Sequence, residues 1–149
     1  MRFSQTHHMP YTDIDEPGLG WPISNSRFDA GRATKMFRTY IDAKVYGEEC
    51  GFDAIGCNEH HMSPFGMMPN PALVAASVIE RTTRAEIQMS GSIVPLNNPI
   101  RVAEEYAMLD VMSGGRLMAG FMRGIPHEYV AYNVAPDDSW PRMREAVAL

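Results

Sequence analysis

Residues 87–121 read IQMSGSIVPLNNPIRVAEEYAMLDVMSGGRLMAGF and contain one complete strand–helix–strand unit. Residues 87–94 have strand composition, with small side chains near their end. Asn98 followed by Pro99 predicts a helix start, because asparagine caps well and proline is tolerated at the first helical position. The helix is expected to run to the glycine pair at 114–115, and residues 116–121 form the next strand candidate. Such a unit indicates a parallel sheet.

The same alternation extends to both sides of this unit. Asp29 predicts the N-cap of a helix that stops at Gly51, because apolar residues recur on one face between them. Residues 52–57 form a short apolar strand candidate, and the Asn-Pro pair at 70–71 repeats the helix-start pattern. The ends of the chain add a strand candidate over residues 3–8 and a helix over residues 140–149. The later strands recur at about 30-residue intervals, as βα units do.

Two α/β architectures accept this order of elements. One is a doubly wound open sheet, and the other is the first half of a (βα)8 TIM barrel. The sequence gives less support to the doubly wound sheet, because no GxGxxG or Walker-type phosphate motif follows an early strand. A whole barrel takes about 250 residues, so a chain of this length would hold only about half of one.

Composition excludes several classes of function. The chain has 149 residues, 13 basic against 18 acidic, a net charge of −5 and no Lys/Arg cluster. These features argue against a nucleic-acid partner. Cys50 and Cys57 indicate neither a disulfide framework nor a zinc module. No run approaches the roughly 20 apolar residues of a membrane helix, and the start lacks a signal-peptide core, so we expect a soluble, cytoplasmic protein with no membrane partner.

Polar and small residues follow three of the predicted strands. The sequence NEHH occupies residues 58–61 after the second strand, Ser90 and Gly91 lie at the end of the third, and Met122 and Arg123 follow the fourth. Because the carboxyl ends of parallel strands meet at one edge of a sheet, we expect these residues to form one site.

Glu59, His60 and His61 allow three interpretations. They could bind a metal, together with His7 and His8. One histidine could instead act as a general base or hydrogen-bond donor to a cofactor, a role that its near-neutral pKa suits. Both could also be satisfied structural residues. Adjacent side chains in extended chain point to opposite sides, so the two imidazoles cannot easily share one ion, and we predict no metal site.

Three separated motifs carry a family resemblance. They are EHHMSPFGMMPNP at residues 59–71, VPLNNPIRVAEEYAMLDVMSGGRL at 94–117 and AGFMRG at 119–124. In their order and spacing they resemble luciferase-like flavin-dependent monooxygenases, the family that includes bacterial luciferase. The resemblance is close over roughly residues 51–124. It implies a (βα)8 TIM barrel that binds FMN, of which residues 1–149 would be the incomplete N-terminal part, about the first four βα units.

The resemblance also implies catalytic residues. His60 matches the first histidine of the family's Glu-His-His motif, which supports flavin oxidation chemistry, and Glu59 and His61 match its neighbours. His60 and Glu59 are therefore the expected catalytic residues.

The expected cofactor-binding residues are Ser90, Gly91, Met122 and Arg123. Ser90 and Gly91 fall where family members bring backbone against the flavin, often through a non-prolyl cis peptide. Arg123 matches an arginine that binds the FMN phosphate, as a guanidinium is suited to do. Met122 stands where luciferases proper have cysteine, which implies a non-luminescent relative.

The reaction implied by the resemblance uses reduced FMN from a separate flavin reductase and O2 to oxidise an organic small molecule. Two alternatives remain. The chain could belong to a flavin or deazaflavin oxidoreductase that does not activate O2, or it could be a truncated, non-catalytic partner chain. A half barrel would expose parallel strand edges, so we also expect a homo-oligomer.

Overall fold

The structure is a computed structural model that describes residues 1–12, 14 and 23–149. Its strands are β1 (Ser4–Thr6), β2 (Ala54–Cys57), β3 (Glu86–Met89), β4 (Ser92–Ile93), β5 (Leu117–Met118) and β6 (Phe121–Met122). Its α-helices are α1 (Ala30–Glu49), α2 (Pro71–Ile79), α3 (Pro99–Ser113), α4 (Pro126–Ala131) and α5 (Ser139–Ala148). The predicted α/β class is confirmed. Within these residues no helix is long and apolar enough to cross a membrane.

Three of the helices, α1, α2 and α3, begin where the sequence predicts. The side chains of Asp29, Asn70 and Asn98 each accept hydrogen bonds from backbone N–H groups of the first helical turn. These bonds satisfy donors that have no partner inside the helix. Gly51 and Gly114 follow α1 and α3 with φ of 91° and 68°, a left-handed conformation that glycine adopts without steric cost. Local chemistry therefore fixes these helix ends.

The main sheet contains β1, β2, β3 and β5 in that order, and every pair is parallel. Consecutive strands are neighbours, and α2 packs against both α1 and α3. Because βα crossovers are right-handed, such an order places these helices on one face of the sheet. Ile55 and Ile87 occupy paired positions, are fully buried and belong to the core that includes side chains of all three helices.

Two predicted strands are each divided in two, which corrects the expected strands 87–94 and 116–121. The chain leaves the main sheet after β3 and after β5, and β4 then pairs in parallel with β6. At this bend a Cβ atom on Gly91 would collide with the carbonyl of Gly120, and one on Gly120 would collide with the carbonyl of Met89. The two backbones therefore pack directly against each other and turn together.

Helix α4 was not predicted, and α5 begins at Ser139, one residue before the predicted start. The described strands show no reversal of order of the kind that marks a doubly wound sheet. Their order is the one that consecutive units of a barrel have. The barrel itself remains a prediction.

Candidate functional site

The predicted site residues lie at the carboxyl ends of the strands. Residues 58–61 follow β2, Ser90 and Gly91 separate β3 from β4, Met122 ends β6 and Arg123 follows it. Two contacts join these segments. The N–H of Ser90 donates to the carbonyl of Cys57 at 2.6 Å. The N–H of Ile93, whose register partner is Met122, donates to Glu59 Oε2 at 2.9 Å.

Glu59 is held by three hydrogen bonds and is only 6% exposed. Its Oε1 atom lies 2.6 Å from His61 Nε2 and accepts from Asn97 Nδ2 at 3.2 Å, while Oε2 accepts from Ile93. Both carboxylate oxygens are therefore occupied. Glu59 is thus held in one orientation, and its catalytic role stays a prediction.

His61 has partners at both ring nitrogens. Because the Glu59 carboxylate is an acceptor, His61 Nε2 carries the proton and donates to it. His61 Nδ1 lies 3.0 Å from the hydroxyl of Tyr132, which therefore donates to it. The imidazole is 5% exposed, and its ring meets that of Tyr132 edge to face. Both ring nitrogens of His61 therefore have hydrogen-bond partners, and the imidazole connects the loop after β2 to the residue that follows α4.

His60 makes a different pairing. Its Nδ1 atom lies 3.2 Å from Oε1 of Glu128, which is 1% exposed. The other oxygen of Glu128 accepts from the N–H of Ile125 at 2.9 Å. Since a carboxylate only accepts, Nδ1 of His60 carries a proton and donates it to this contact, and Nε2 is the ring nitrogen that does not face Glu128. This is the arrangement of a general base oriented by a carboxylate.

Hydrogen bonds stabilise the negative charge of the buried Glu128 carboxylate. Burial alone would raise the pKa of its carboxyl group, but the hydrogen bonds from His60 and from the backbone N–H of Ile125 outweigh burial and hold the pKa below its ordinary value. Glu128 is therefore ionised at neutral pH. Reasoning from the sequence missed this residue, although Pro126 followed by Glu128 is a recognisable helix start.

The two adjacent histidines contact different carboxylates, as the extended chain predicts. Within residues 1–12, 14 and 23–149 no cluster of three or more His, Cys, Asp or Glu side chains could hold a metal ion. His8 lies near His60, with ring centroids 5.4 Å apart, and its Nδ1 atom accepts from Asn58 Nδ2 at 2.9 Å. Burial first, then the neighbouring His60 and Lys44, lower the pKa of His8.

Lys44 is a buried cation that the sequence did not reveal. Its side chain is 0% exposed, and Nζ donates to the carbonyls of Gly56 at 2.6 Å and His7 at 3.3 Å. Burial lowers the pKa of this ammonium group. Burial also raises the pKa of the Cys57 thiol to about 11, so this thiol is not a nucleophile at neutral pH. Lys44 ties the ends of β1 and β2 together next to the site.

Two of the four cofactor residues predicted from the sequence, Ser90 and Gly91, lie at the bend between the two sheets. The peptide bond between Ser90 and Gly91 is cis. The Ser90 hydroxyl is buried, and within the described residues it has no hydrogen-bond partner. Gly91 and Gly120 keep this bend free of side chains, as described above. The bend therefore holds one buried hydroxyl whose hydrogen bond is unmade among the described residues.

Arg123 directly follows β6 and is exposed. Its Nη1 atom donates to the hydroxyl of Ser139 at 3.3 Å, and its guanidinium lies 5.0 Å from the centroid of the Trp140 ring. Neither partner carries a charge, so neither neutralises the guanidinium. Tyr129 holds the backbone beneath it, because its hydroxyl donates to the carbonyl of Arg123 at 2.6 Å. The preceding Met122 is partly exposed beside it.

The sequence profile of the luciferase-like monooxygenases matches residues 19–149, and the chain belongs to that family. It is 34% identical over 92 residues to the alkanal monooxygenase alpha chain of Photorhabdus luminescens, covering 62% of this chain and 25% of that protein. It is 34% identical over 116 residues to the oxygenase component of the flavin-dependent trigonelline monooxygenase of Acinetobacter baylyi, covering 76% and 32%. These relatives are flavin-dependent oxidoreductases.

Solved structures share the fold. Monooxygenase RslO1 from Streptomyces bottropensis superimposes with a TM-score of 0.79 at 26% identity, over 99% of this chain and 41% of that one. The oxygenating constituent of 3,6-diketocamphane monooxygenase from Pseudomonas putida, in complex with FMN, gives a TM-score of 0.75 at 20% identity, over 99% and 38%. The chain spans between about a fifth and a third of the length of the curated relatives it matches.

Proposed function

We propose that the chain is the N-terminal part of a TIM-barrel flavin-dependent monooxygenase, which uses reduced FMN and O2 to oxidise an organic small molecule. The observation that carries this proposal is the His60–Glu128 pair at the strand-end edge that also presents Ser90, Gly91 and Arg123. Family membership supports the reaction class, and the sequential parallel strands support the barrel.

The residues present fit an FMN molecule. The buried Ser90 hydroxyl without a partner in the described chain offers a hydrogen bond to a flavin ring. Arg123 would hold the phosphate, because its contacts leave its charge uncompensated. When bound, reduced FMN supplies the electrons with which O2 is reduced.

In this proposal His60 accepts a proton at its Nε2 atom. Glu128 fixes the Nδ1–H tautomer, so Nε2 can accept a proton from a bound reactant, and the nearby carboxylate then stabilises the imidazolium that forms. Glu59 acts through His61, whose bonds to Glu59 and Tyr132 hold the loop after β2 in place. We assign Glu59 a positioning role rather than a catalytic one.

A separate reductase would supply the reduced FMN. This proposal is supported by the relative that is named as the oxygenase component of its enzyme. The strands β1 and β5 form the edges of the main sheet. In a complete barrel further strands would cover both edges, and in this chain alone the edges would favour a homo-oligomer.

The test is stopped-flow oxidation of reduced FMN by O2 in the presence of the protein. His60→Gln should slow the oxidation of bound flavin by at least roughly a hundredfold while FMN affinity stays within about tenfold. The control is Glu145→Gln, a change at an exposed position of α5, which should leave both quantities close to those of the unmodified protein. If bound reduced FMN reacts with O2 as free FMN does, the oxygenase proposal fails and a hydride-transferring flavoprotein becomes the better description.

A further inference from the structure

One tyrosine of α3 contacts both strands of the small sheet beside the bend. Tyr106 lies on the helix face that also carries Val102, Leu109 and Ser113, which follow one another at spacings of three and four residues. All four residues are buried, and Tyr106 is only 5% exposed. This is therefore the face that α3 turns toward the rest of the chain.

The hydroxyl of Tyr106 makes three hydrogen bonds. It donates to the carbonyl of Gly120 at 2.8 Å and accepts from the N–H of Ser92 at 3.0 Å. Ser92 Oγ lies 3.1 Å from the same oxygen atom. A phenol has a single proton and a carbonyl can only accept, so the Ser92 hydroxyl donates in this third contact. One oxygen atom of α3 thus joins β4 to the residue that precedes β6.

Burial keeps this hydroxyl in the form that its contacts require. Burial is the largest influence on the Tyr106 phenol and raises its pKa, although the hydrogen bonds from Ser92 act in the opposite direction. The phenol therefore keeps its proton at neutral pH and can donate it to Gly120. Its ring stacks on that of Phe121, with centroids 5.6 Å apart and 12° between the planes. Tyr106 thus contacts β4 with its hydroxyl and β6 with its ring.

The carbonyl that Tyr106 binds is the one against which Gly91 packs. A Cβ atom on Gly91 would collide with the oxygen of Gly120, so the two backbones are in direct contact. The residue before Gly91 is Ser90, whose buried hydroxyl has no hydrogen-bond partner among the residues that the structure describes. Two short routes lead from Tyr106 to that hydroxyl. One crosses from Gly120 to Gly91, and the other runs back along the chain from Ser92.

We propose that Tyr106 is a positioning residue of the flavin site, whose hydroxyl fixes the backbone of the bend and so holds the Ser90 hydroxyl where it bonds to the flavin ring. The inference rests on the proposed function, in which Ser90 offers that hydrogen bond. It adds a residue of α3, a helix from which the sequence predicts no site residue.

The test removes only the hydroxyl. Tyr106→Phe keeps the stacked ring but leaves the N–H of Ser92 and the carbonyl of Gly120 without this partner. It should weaken FMN and riboflavin binding by the same factor, about fivefold to tenfold, because both flavins have the ring that Ser90 contacts. Fluorescence titration measures both affinities. Tyr46→Phe makes the same change at an exposed position of α1 and should leave both affinities unchanged.

A double variant separates positioning from a general loss of structure. Ser90→Ala removes the hydroxyl that bonds to the ring, so adding Tyr106→Phe to it should weaken flavin binding no further. Additive losses would show that Tyr106 acts independently of Ser90 and would overturn the proposal. Flavin affinities unchanged by Tyr106→Phe, or a loss confined to FMN, would also overturn it.

Hydrogen exchange provides a second measurement if circular dichroism shows that Tyr106→Phe is not folded. In the unmodified protein, saturating FMN should slow the exchange of the Ser92 N–H, which donates to Tyr106, by about tenfold more than that of the Thr83 N–H. Thr83 is a suitable reference because its N–H donates to Glu48 in the segment before β3, whereas Ser92 follows β3. Equal slowing at both positions would overturn the proposal.

This inference and the proposed function can fail separately. If the unmodified protein binds neither flavin, the proposed function fails and the inference fails with it. If it binds both, and the loss caused by Tyr106→Phe is absent or adds to that of Ser90→Ala, then Tyr106 is not a positioning residue and the proposed function stands.

Discussion

His60 and Glu128 form a hydrogen-bonded pair across 68 residues of sequence, with Nδ1 and Oε1 3.2 Å apart. The histidine belongs to the loop after β2, and the glutamate belongs to α4. Since Arg123 lies just before α4, the same short segment supports both the proposed phosphate ligand and the partner of the proposed base. A change at Glu128 should therefore affect proton transfer, whereas a change at Arg123 should affect flavin binding.

The first prediction is that Glu128→Gln slows the oxidation of bound reduced FMN by about tenfold to a hundredfold. The glutamine keeps the size of the side chain but removes the charge that fixes the His60 tautomer and stabilises its protonated form. Stopped-flow absorbance measures the rate. Glu145→Gln, an exposed change on α5, is the control and should have no effect.

A double variant tests whether Glu128 acts through His60. The combined His60→Gln and Glu128→Gln protein should be no slower than His60→Gln alone. Glu128 is proposed to act only through the His60 imidazole, so its removal has no further effect once the imidazole is gone. Additive losses would instead mean that Glu128 contributes independently of the imidazole.

The second prediction concerns stability against pH. The pKa of Glu128 is lowered in the folded protein, so its ionised form adds stability that is fully present above the ordinary glutamate pKa and is lost as pH falls through the folded value. The free energy of unfolding of the unmodified protein should therefore exceed that of Glu128→Gln at pH 7, and the difference should shrink below about pH 4.5. Urea unfolding at both pH values measures it. A difference that does not change with pH would show that Glu128 titrates normally.

The third prediction concerns the bend between the sheets. Gly91→Ala should lower the free energy of unfolding by about 1–3 kcal/mol, because the added Cβ collides with the carbonyl of Gly120 and forces the backbone apart. Gly31→Ala is the matched control. It adds the same atom to an exposed position of α1, where only ordinary contact is met, and it should leave stability equal or slightly higher. Equal losses for both variants would mean that the close approach of the two backbones is not required.

The helices show what the sequence alone can predict. Asp29, Asn70 and Asn98 cap the helices α1, α2 and α3 as expected, because each cap depends on residues that follow within one turn. The parallel sheet was also predictable, because strand composition recurs between these helices. Helix α4 was missed because six residues give too little apolar periodicity to distinguish a helix from a loop.

The bend and the side-chain pairings could not be predicted for a different reason. The division of the strands depends on Gly91 and Gly120, which are 29 residues apart in the sequence and meet only in the folded chain. The placement of His60 near other strand ends followed from parallel topology. Its partner Glu128 did not, because nothing local to either residue indicates a contact over that sequence distance.

The last prediction is that Arg123→Ala weakens FMN binding by roughly 30-fold or more but leaves riboflavin binding nearly unchanged. Removing one member of a charge-assisted pair costs about 2–5 kcal/mol, and only FMN carries the phosphate that such a pair requires. The guanidinium is held over Trp140 and beside Ser139 by uncharged contacts, so its removal exposes no buried carboxylate and should not unfold the chain. Arg144→Ala removes an exposed positive charge from α5 and controls for a general loss of attraction to anions. Fluorescence titration of both flavins with the unmodified protein and the two variants provides the comparison. If FMN and riboflavin weaken equally, or if Arg144→Ala weakens FMN as much as Arg123→Ala does, then Arg123 is not the phosphate ligand and the cation must lie elsewhere.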